Sequence, residues 1–333
     1  MSAFVNHRKK WLFSLSAVML IMMYFASVWS KMRSMMMSRH SDQHQICDEM
    51  LHSNILENRT WESHFMRNRA NIMSSRHQTL VENCAEYLLC SQTFQDLNPK
   101  LISSTKYNLM YCDVAKVAST NSKKVMLLLN KYVKNMKELN DLNKVASVHG
   151  LVTPYKLRYN PESTLEERTK NFTTFLVVRH PMERLVSAYE DKFFPSKFNS
   201  IPEMEVLGKK IMTMYPRSNS SEKYPTFEQF LSYLLQSNDE NPHWEPYVNL
   251  CHPCRLHYDV IMHLDTVIDD SRFLLKLIHA PIDVWFPSVG VTHRNNINRV
   301  SEHLEHTDPK IIKKIEDRYN LDYKLFGFQK YSL

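Results

Sequence analysis

The sequence predicts an α/β domain built around a parallel β-sheet, because it contains two strand–turn–helix units. In the unit that organises the rest, residues 173–178 form an apolar, β-branched run typical of a buried strand. Pro181 then suits the first turn of a helix. The positions of that helix that would face a core recur at helical spacing: Val186, Tyr189 and Phe193.

The second unit lies earlier in the chain. Residues 107–112 predict a strand, 113–119 a loop and 120–132 a helix. Backbone N–H groups at a helix N-terminus attract anions, and this loop adds an ammonium group and two hydroxyl groups. The side chains concerned are Lys116, Ser119 and Thr120. None of the chain's four glycines lies in either unit, so neither loop is a Walker loop or a dinucleotide-binding turn.

Both loops would lie at the carboxyl ends of parallel strands, where ligands bind. Arg179, Arg184 and Ser187 follow the second strand and would face the same ligand. We therefore expect an anion site between the two units. The alternative is a pair of ordinary βα units with arginines on their surface.

The composition fits a large folded domain with anionic partners. The chain has 333 residues, of which 43% are hydrophobic and 23% charged, and this excludes a disordered chain. A formal net charge of +7 leaves nucleic acid, acidic lipid and acidic polysaccharide open as partners. It is equally consistent with a solvated basic surface that has no partner.

An uncharged segment near the N-terminus predicts a membrane anchor. Residues 11–30 contain no charged side chain, and about 20 apolar residues span a bilayer. The competing interpretation, a cleaved signal peptide, usually has an apolar core of only about 7–15 residues. We expect a type II topology, with residues 1–10 as a cytoplasmic tail, 31–74 as a lumenal stem and 75–333 as the folded domain.

Glycosylation motifs and cysteines indicate an oxidising lumen. Three Asn-x-Ser/Thr sequons follow the anchor, at Asn58, Asn171 and Asn219. Cys251 and Cys254 are spaced like a pair of zinc ligands, but no second pair completes such a site, so a disulfide or packed thiols is the better interpretation. The six cysteines are Cys47, Cys84, Cys90, Cys112, Cys251 and Cys254.

Both units resemble motifs of one family, the Golgi carbohydrate sulfotransferases that include the HNK-1 and chondroitin/dermatan 4-O-sulfotransferases. Residues 112–124 resemble the family's 5′-phosphosulfate loop, and residues 178–193 resemble its 3′-phosphate motif. Across about residues 75–330, further segments follow in the family's order: Phe227–Phe230, His243–Pro246, Leu250–Cys254, Tyr258–Asp259 and Tyr319–Phe328.

The resemblance implies a parallel-sheet sulfotransferase fold, similar to that of P-loop nucleotide kinases, in a single-pass Golgi membrane protein. It implies transfer of a sulfuryl group from 3′-phosphoadenosine 5′-phosphosulfate to a sugar hydroxyl, with no metal ion and no nucleic-acid partner. The expected acceptor is the glycosaminoglycan chondroitin, sulfated at position 4 of N-acetylgalactosamine. An excess of Lys and Arg between the two loops and up to Arg168 suits such a polyanion.

The resemblance also implies roles for individual residues. Lys116 is expected to contact the bridging and sulfuryl oxygens, and Arg179 and Ser187 the 3′-phosphate. His243 and His149 are both candidates for the catalytic base. The expected donor-binding residues are Ala115, Lys116, Val117, Ala118, Ser119, Thr120 and Asn121 in the first loop, and Arg179, His180, Pro181, Met182, Glu183, Arg184, Leu185, Val186 and Ser187 in the second.

Three positions depart from the family's pattern. Ala115 replaces a usual proline, which would loosen the loop, and Ser122 replaces a usual tryptophan, which would weaken contacts near the nucleotide. His180 replaces a usual acidic residue. These departures keep open a catalytically weakened lumenal polysaccharide-binding protein, beside an HNK-1-type enzyme acting on terminal glucuronate. A glycosyltransferase is disfavoured because the chain contains no Asp-x-Asp motif.

Overall fold

The protein is described here from a computed structural model that carries side chains. Apart from a few isolated positions, it describes residues 22–35, 63–87, 100–142, 147–156, 171–194, 202–217, 223–237, 241–288 and 293–331.

A four-stranded sheet forms the centre of the mixed α/β domain. Its strands are β1 (Leu101–Ser104), β2 (Leu109–Cys112), β3 (Thr173–Val178) and β4 (Val260–His263), and they lie in that order. Strands β2, β3 and β4 run parallel, as predicted, whereas β1 pairs antiparallel with β2 at the edge. The sheet is therefore mixed rather than wholly parallel.

Helices surround this sheet. The longer ones are α1 (His64–Glu86), α2 (Ser119–Leu129), α3 (Met136–Leu142), α5 (Pro181–Lys192), α6 (Pro202–Met214), α7 (Phe227–Gln236), α9 (Val267–Leu277), α10 (His293–Leu304) and α11 (Pro309–Arg318). The short ones are α4 (Val148–Leu151), α8 (Tyr247–Cys251) and α12 (Asn320–Leu325).

The core follows the predicted periodicity. Five of the six residues of β3 are buried, and so, as expected, are Val186 and Tyr189 on α5 and Phe193 directly after it. Helices α1 and α9 pack on β4, and α2 packs on β1. Helix α1 begins at His64 and buries Met73 in the same core, so the packed region extends to the N-terminal side of residue 75.

Two disulfide bonds join distant parts of the domain. Cys84 on α1 is bonded to Cys254, and Cys112 at the end of β2 is bonded to Cys251 on α8. Cys251 and Cys254 are thus each in a disulfide bond, with partners elsewhere in the chain and not with each other, so the disulfide alternative is confirmed over packed thiols. The Cys112–Cys251 bond also fixes the segment after β2 to the segment that carries His243, because α8 begins four residues after His243.

The N-terminal predictions fall mostly outside the described residues. Residues 22–35 are helical, but no helix within the described ranges combines the length and apolarity needed to cross a membrane. Residues 11–21 of the predicted anchor are not among those ranges, and neither are Cys47, Cys90 or the sequons at Asn58 and Asn219. The remaining sequon residue, Asn171, is among the described residues and is exposed just before β3.

Candidate active site

A cavity of about 410 Å³ lies where the loops after β2 and β3 meet, at the carboxyl ends of two parallel strands. Five separate segments contribute to it. Its lining residues are Ala115, Lys116, Ala118, Ser119, Thr120, His149, Arg179, Ser187, Asp191, Lys192, His243 and Leu264. The cavity therefore brings together Lys116, both candidate bases and both candidate 3′-phosphate ligands.

The loop after β2 takes a conformation that non-glycine residues rarely adopt. Lys116 and Ala118 have positive φ values of 72° and 61°, in the left-handed region that costs an L-residue roughly 1–2 kcal/mol. The first helical hydrogen bonds of α2 run from the N–H groups of Asn121 and Ser122 to Ala118 O. The N–H groups of Ser119 and Thr120 precede them, so this end of the helix presents amide donors to the cavity.

Lys116 lies within a compact cluster of charges. Its Nζ is 3.1 Å from Asp191 Oδ2, and Lys192 Nζ lies 3.1 Å from the same oxygen. Burial lowers the pKa of Lys116, and the Asp191 carboxylate partly offsets that effect. Burial alone would raise the pKa of Asp191, but Lys116 and Lys192 outweigh it and lower the pKa to about 2. Asp191 is thus ionised, and the cluster carries one net positive charge.

Arg179 connects the two loops. It is only 7% exposed, its Nε donates to Glu183 Oε2 at 3.3 Å, and its Nη1 donates to Lys116 O at 3.3 Å. Its backbone N–H donates to the hydroxyl of buried Tyr247 at 2.8 Å. Arg179 also lines the cavity, where a planar guanidinium group can donate to an anion.

Arg184 has a different environment from Arg179. It is 1% exposed and does not line the cavity. Its guanidinium donates to Ala115 O, Glu245 O and Pro242 O at 3.2, 2.7 and 3.1 Å. Arg184 therefore connects the loop after β2 to the segment carrying His243, and it holds the Ala115 carbonyl in that loop, which lacks the expected proline.

His243 has a defined tautomer. Asn241 Oδ1 accepts the backbone N–H of His243 at 3.0 Å, so the same oxygen, 2.8 Å from Nδ1, must accept a proton from that ring nitrogen as well. The proton then sits on Nδ1 and Nε2 carries the lone pair. Burial, followed by the charges of Lys192 and Lys116, lowers the pKa of His243 to about 4. His243 is therefore neutral at neutral pH.

His149 also lines the cavity, but from an exposed position on α4. Partial burial of its ring lowers its pKa, as do Lys123 and Lys156. Lys123 is itself 2% exposed and paired with Asp113 Oδ1 at 2.5 Å. His149 thus lines the cavity close enough to Lys123 and Lys156 for their charges to lower its pKa.

Several predicted donor-binding residues lie outside the cavity. Ser122, a departure from the family's pattern and not an expected donor-binding residue, is also outside it, buried in α2. His180 contacts the C-terminal segment, Asn121 donates to Pro287 O, and Pro181 is buried at the start of α5. The remaining residues pack in the core or against the loops: Val117, Met182, Glu183, Leu185 and Val186.

The sequence analysis missed Asp191, Lys192, Leu264 and the tautomer-setting Asn241. A signal existed for Asp191, because it stands four residues after Ser187 and so shares its helix face.

Within the described ranges, no group of three or more His, Cys, Asp or Glu side chains could hold a metal ion.

The chain is similar to curated proteins that are named carbohydrate sulfotransferases. The human carbohydrate sulfotransferase 10 is 32% identical over 239 residues, which are 68% of this chain and 65% of the relative. The zebrafish (Danio rerio) carbohydrate sulfotransferase 11 is 28% identical over 271 residues, 76% of this chain and 75% of the relative. The chain thus spans slightly less than two thirds of the length of the human relative.

No solved structure matches the chain. The sequence profile described as the Sulfotransferase family matches residues 99–329, which include all four strands and every residue that lines the cavity. This confirms the family resemblance that the two loop motifs predict. The chain belongs to the sulfotransferase family.

Proposed function

We propose that the protein transfers the sulfuryl group of 3′-phosphoadenosine 5′-phosphosulfate to a sugar hydroxyl. The observation that carries the proposal is the single cavity in which Lys116, Arg179, Ser187 and His243 meet. The donor bears a phosphate at the 3′ position and a phosphosulfate at the 5′ position of its ribose, and these cations and amides suit a ligand with negative charge at two separate points. Family membership and relatives named carbohydrate sulfotransferases support the same reaction.

The residues divide the chemistry between them. A sugar oxygen forms a bond to sulfur while the bond from sulfur to the bridging phosphate oxygen breaks, and the hydroxyl proton must leave. Lys116 and the amides of Ser119 and Thr120 stabilise the negative charge that develops on the bridging and sulfuryl oxygens. Arg179 and Ser187 hold the 3′-phosphate. This contact positions the donor so that its sulfuryl group lies against Lys116.

His243 is the better candidate for the base. Its Nδ1 proton is committed to Asn241, so Nε2 can accept the hydroxyl proton of the acceptor. Its low pKa keeps it unprotonated in the free protein, and the negative charge of a bound donor would raise that pKa towards the working pH. His149 is exposed, which suits contact with the acceptor rather than with the transferred proton.

The proposed acceptor is chondroitin, sulfated on the 4-hydroxyl of N-acetylgalactosamine. Lys131, Lys134 and Lys137 are exposed around the start of α3, which packs against the cavity-forming helix α2. Such a basic surface suits a chain whose carboxylates repeat at regular intervals, and affinity should fall as salt rises. The narrower choice of chondroitin rests on the family resemblance, chiefly of the segments His243–Pro246 and Cys251–Cys254.

The proposed setting is the Golgi lumen. A type II anchor at residues 11–30 and glycosylation at Asn58, Asn171 and Asn219 belong to this proposal, and the disulfide bonds support an oxidising compartment. Glycosidase treatment of the expressed chain should increase its mobility, and protease added outside intact vesicles should leave residues 75–333 intact. Digestion of that part would overturn the topology.

The decisive assay offers labelled donor to the full-length chain with desulfated chondroitin, dermatan, heparosan or a glucuronate-terminated glycoprotein. Chondroitinase digestion should release labelled disaccharides sulfated at position 4. Label confined to terminal glucuronate would favour the HNK-1-type alternative. Binding of chondroitin with no transfer to any acceptor would instead favour a weakened polysaccharide-binding protein, consistent with the departures at Ala115 and Ser122.

A further inference from the structure

The C-terminal segment turns back onto the start of α5, next to the cavity. His180 Nε2–H donates to Gln329 O at 2.8 Å. The His180 ring also contacts the rings of Tyr331 and Phe328, with centroid distances of 4.5 and 5.7 Å. An acidic side chain at position 180 could make neither the ring contacts nor this donation. His180 thus seats residues 328–331 against the second loop.

Tyr331 reaches a carboxylate that holds Arg179. The Tyr331 hydroxyl donates to Glu183 Oε1 at 3.2 Å, and Arg179 Nε donates to Oε2 of the same carboxylate at 3.3 Å. Glu183 is 2% exposed, so water contributes little to its solvation. A continuous chain of contacts therefore runs from the C-terminal segment, through Glu183, to the arginine that lines the cavity.

This chain of contacts should fix the direction of the guanidinium group. A buried carboxylate needs hydrogen bonds on both oxygens, and the Tyr331 hydroxyl supplies one to Oε1. Without that hydroxyl, the carboxylate gains from rotating towards another donor, and Oε2 then moves relative to Arg179 Nε. A bidentate contact with a phosphate group depends on the orientation of the planar guanidinium, so it is sensitive to such a movement.

We propose that Tyr331 is a positioning residue for Arg179, and that the C-terminal segment thereby sets the protein's preference for ligands with a 3′-phosphate. The proposal rests on the assignment of Arg179 to the 3′-phosphate in the proposed function. Tyr331 itself does not line the cavity and acts through Glu183.

Isothermal titration of the full-length chain in detergent tests the proposal with two ligands, adenosine 3′,5′-bisphosphate and adenosine 5′-monophosphate. Tyr331→Phe removes only the hydroxyl. We expect it to reduce affinity for the bisphosphate about fivefold and to leave affinity for the monophosphate unchanged, because one hydrogen bond acting through a second residue is lost. Glu183→Gln keeps the shape of the side chain but removes its charge. It should reduce the ratio of bisphosphate affinity to monophosphate affinity further than Tyr331→Phe does.

Tyr215→Phe is the matched control, since Tyr215 makes one hydroxyl bond, to Ser232 O at 3.0 Å, away from the cavity. It should change neither affinity. An unchanged ratio of the two affinities in Tyr331→Phe would overturn the inference, and so would an equal loss for both ligands, which would indicate a general structural role. A wild-type chain that binds both ligands equally would instead remove the 3′-phosphate site, and the proposed function with it.

Discussion

Two clusters of acidic and basic side chains lie in this domain, and they differ in what surrounds the carboxylate. In the buried network, Asp270 is fully buried and accepts hydrogen bonds from Arg69, Arg76, Thr266 and the His263 backbone. In the cavity cluster, Asp191 has a side chain that is 32% exposed and lies between Lys116 and Lys192.

The buried network can only hold the fold together, whereas the cavity cluster can also bind a ligand. The two arginines of the buried network connect α1 to α9 and β4, and Asp270 receives donors on both oxygens, so nothing remains for a ligand. The cavity cluster holds two ammonium groups against one carboxylate, beside a helix N-terminus, and it opens into a cavity. An anion entering that cavity gains an attraction that no group in the buried network offers.

The buried network gives the largest expected effect. Asp270→Ala leaves two largely buried arginines without their shared carboxylate, and breaking a buried pair in this way typically costs about 3–5 kcal/mol in the free energy of unfolding. The adjacent Asp269→Ala is the matched control, because its side chain is 50% exposed and its loss leaves Arg69 paired with Asp270. It should cost less than about 1 kcal/mol.

Denaturant titration followed by circular dichroism measures both variants. Equal destabilisation by Asp269→Ala and Asp270→Ala would contradict the distinction between buried and exposed partners.

The cavity cluster should show the reverse pattern, with loss of activity and retention of stability. Lys116→Ala removes the ammonium group and should reduce the transfer rate about 10²–10³-fold, roughly 2.7–4 kcal/mol in the activation barrier. Alanine carries the same Cβ as lysine, so the left-handed backbone at this position becomes no more strained. Steady-state kinetics and a thermal melt test the two halves of the prediction.

Lys313→Ala, on the exposed surface of α11, controls for loss of a positive charge and should leave the rate unchanged. Wild-type turnover in Lys116→Ala would rule out the mechanism proposed above.

Replacing the proposed 3′-phosphate ligands, Arg179 and Ser187, should affect donor binding more than turnover. Arg179→Ala should weaken binding of adenosine 3′,5′-bisphosphate by an order of magnitude or more, since a hydrogen bond to a charged group is worth about 1.5–3 kcal/mol. Ser187→Ala removes a neutral donor and should have a smaller effect. Titration calorimetry gives both affinities, and the dissociation constant for adenosine 5′-monophosphate should change in neither variant.

Arg179 also neutralises buried Glu183 and contacts Lys116 O, so its replacement has a structural cost that Ser187→Ala lacks. Arg179→Lys retains the charge and loses the planar fork, and its affinity should lie between those of wild type and Arg179→Ala. An Arg179→Lys affinity equal to that of wild type would mean that charge alone binds the phosphate.

The sequence predicted the β3–α5 unit because its signals are local, within about 20 consecutive residues. Pro181, the apolar run before it and the spacing of Val186, Tyr189 and Phe193 specify strand, turn and helix without reference to distant parts of the chain. Their consequence, a site between two loops, follows from parallel strands ending on one edge.

Long-range geometry was beyond such local signals. The pairing of Asp191 with Lys116 crosses 75 positions, and no periodicity connects these residues. The left-handed backbone at Lys116 and Ala118 was also hidden, because the sequence supplies neither glycine nor asparagine there. The antiparallel edge strand β1 has only four residues, too few for a pattern to show its direction.

The weakest expected effect concerns the titration of His243. Its pKa is lowered from 6.5 to about 4, mainly by burial and then by Lys192 and Lys116, so the ring loses its proton at about pH 4 and is a free base above that pH. If His243 is the base, kcat/KM for the donor, which reports the free protein, should stay level as pH falls from 7 to 5 and decline near pH 4. Asn241→Asp places a carboxylate at the protonated Nδ1, which favours the charged ring and should move the acid limb up by about one pH unit, equivalent to about 1.4 kcal/mol.

Asn135→Asp is the control, because Asn135 caps α3 at an exposed position where aspartate caps equally well, and it adds the same charge away from the cavity. A wild-type acid limb near pH 6.5, or one that Asn241→Asp leaves in place, would assign the proton transfer to a group other than His243.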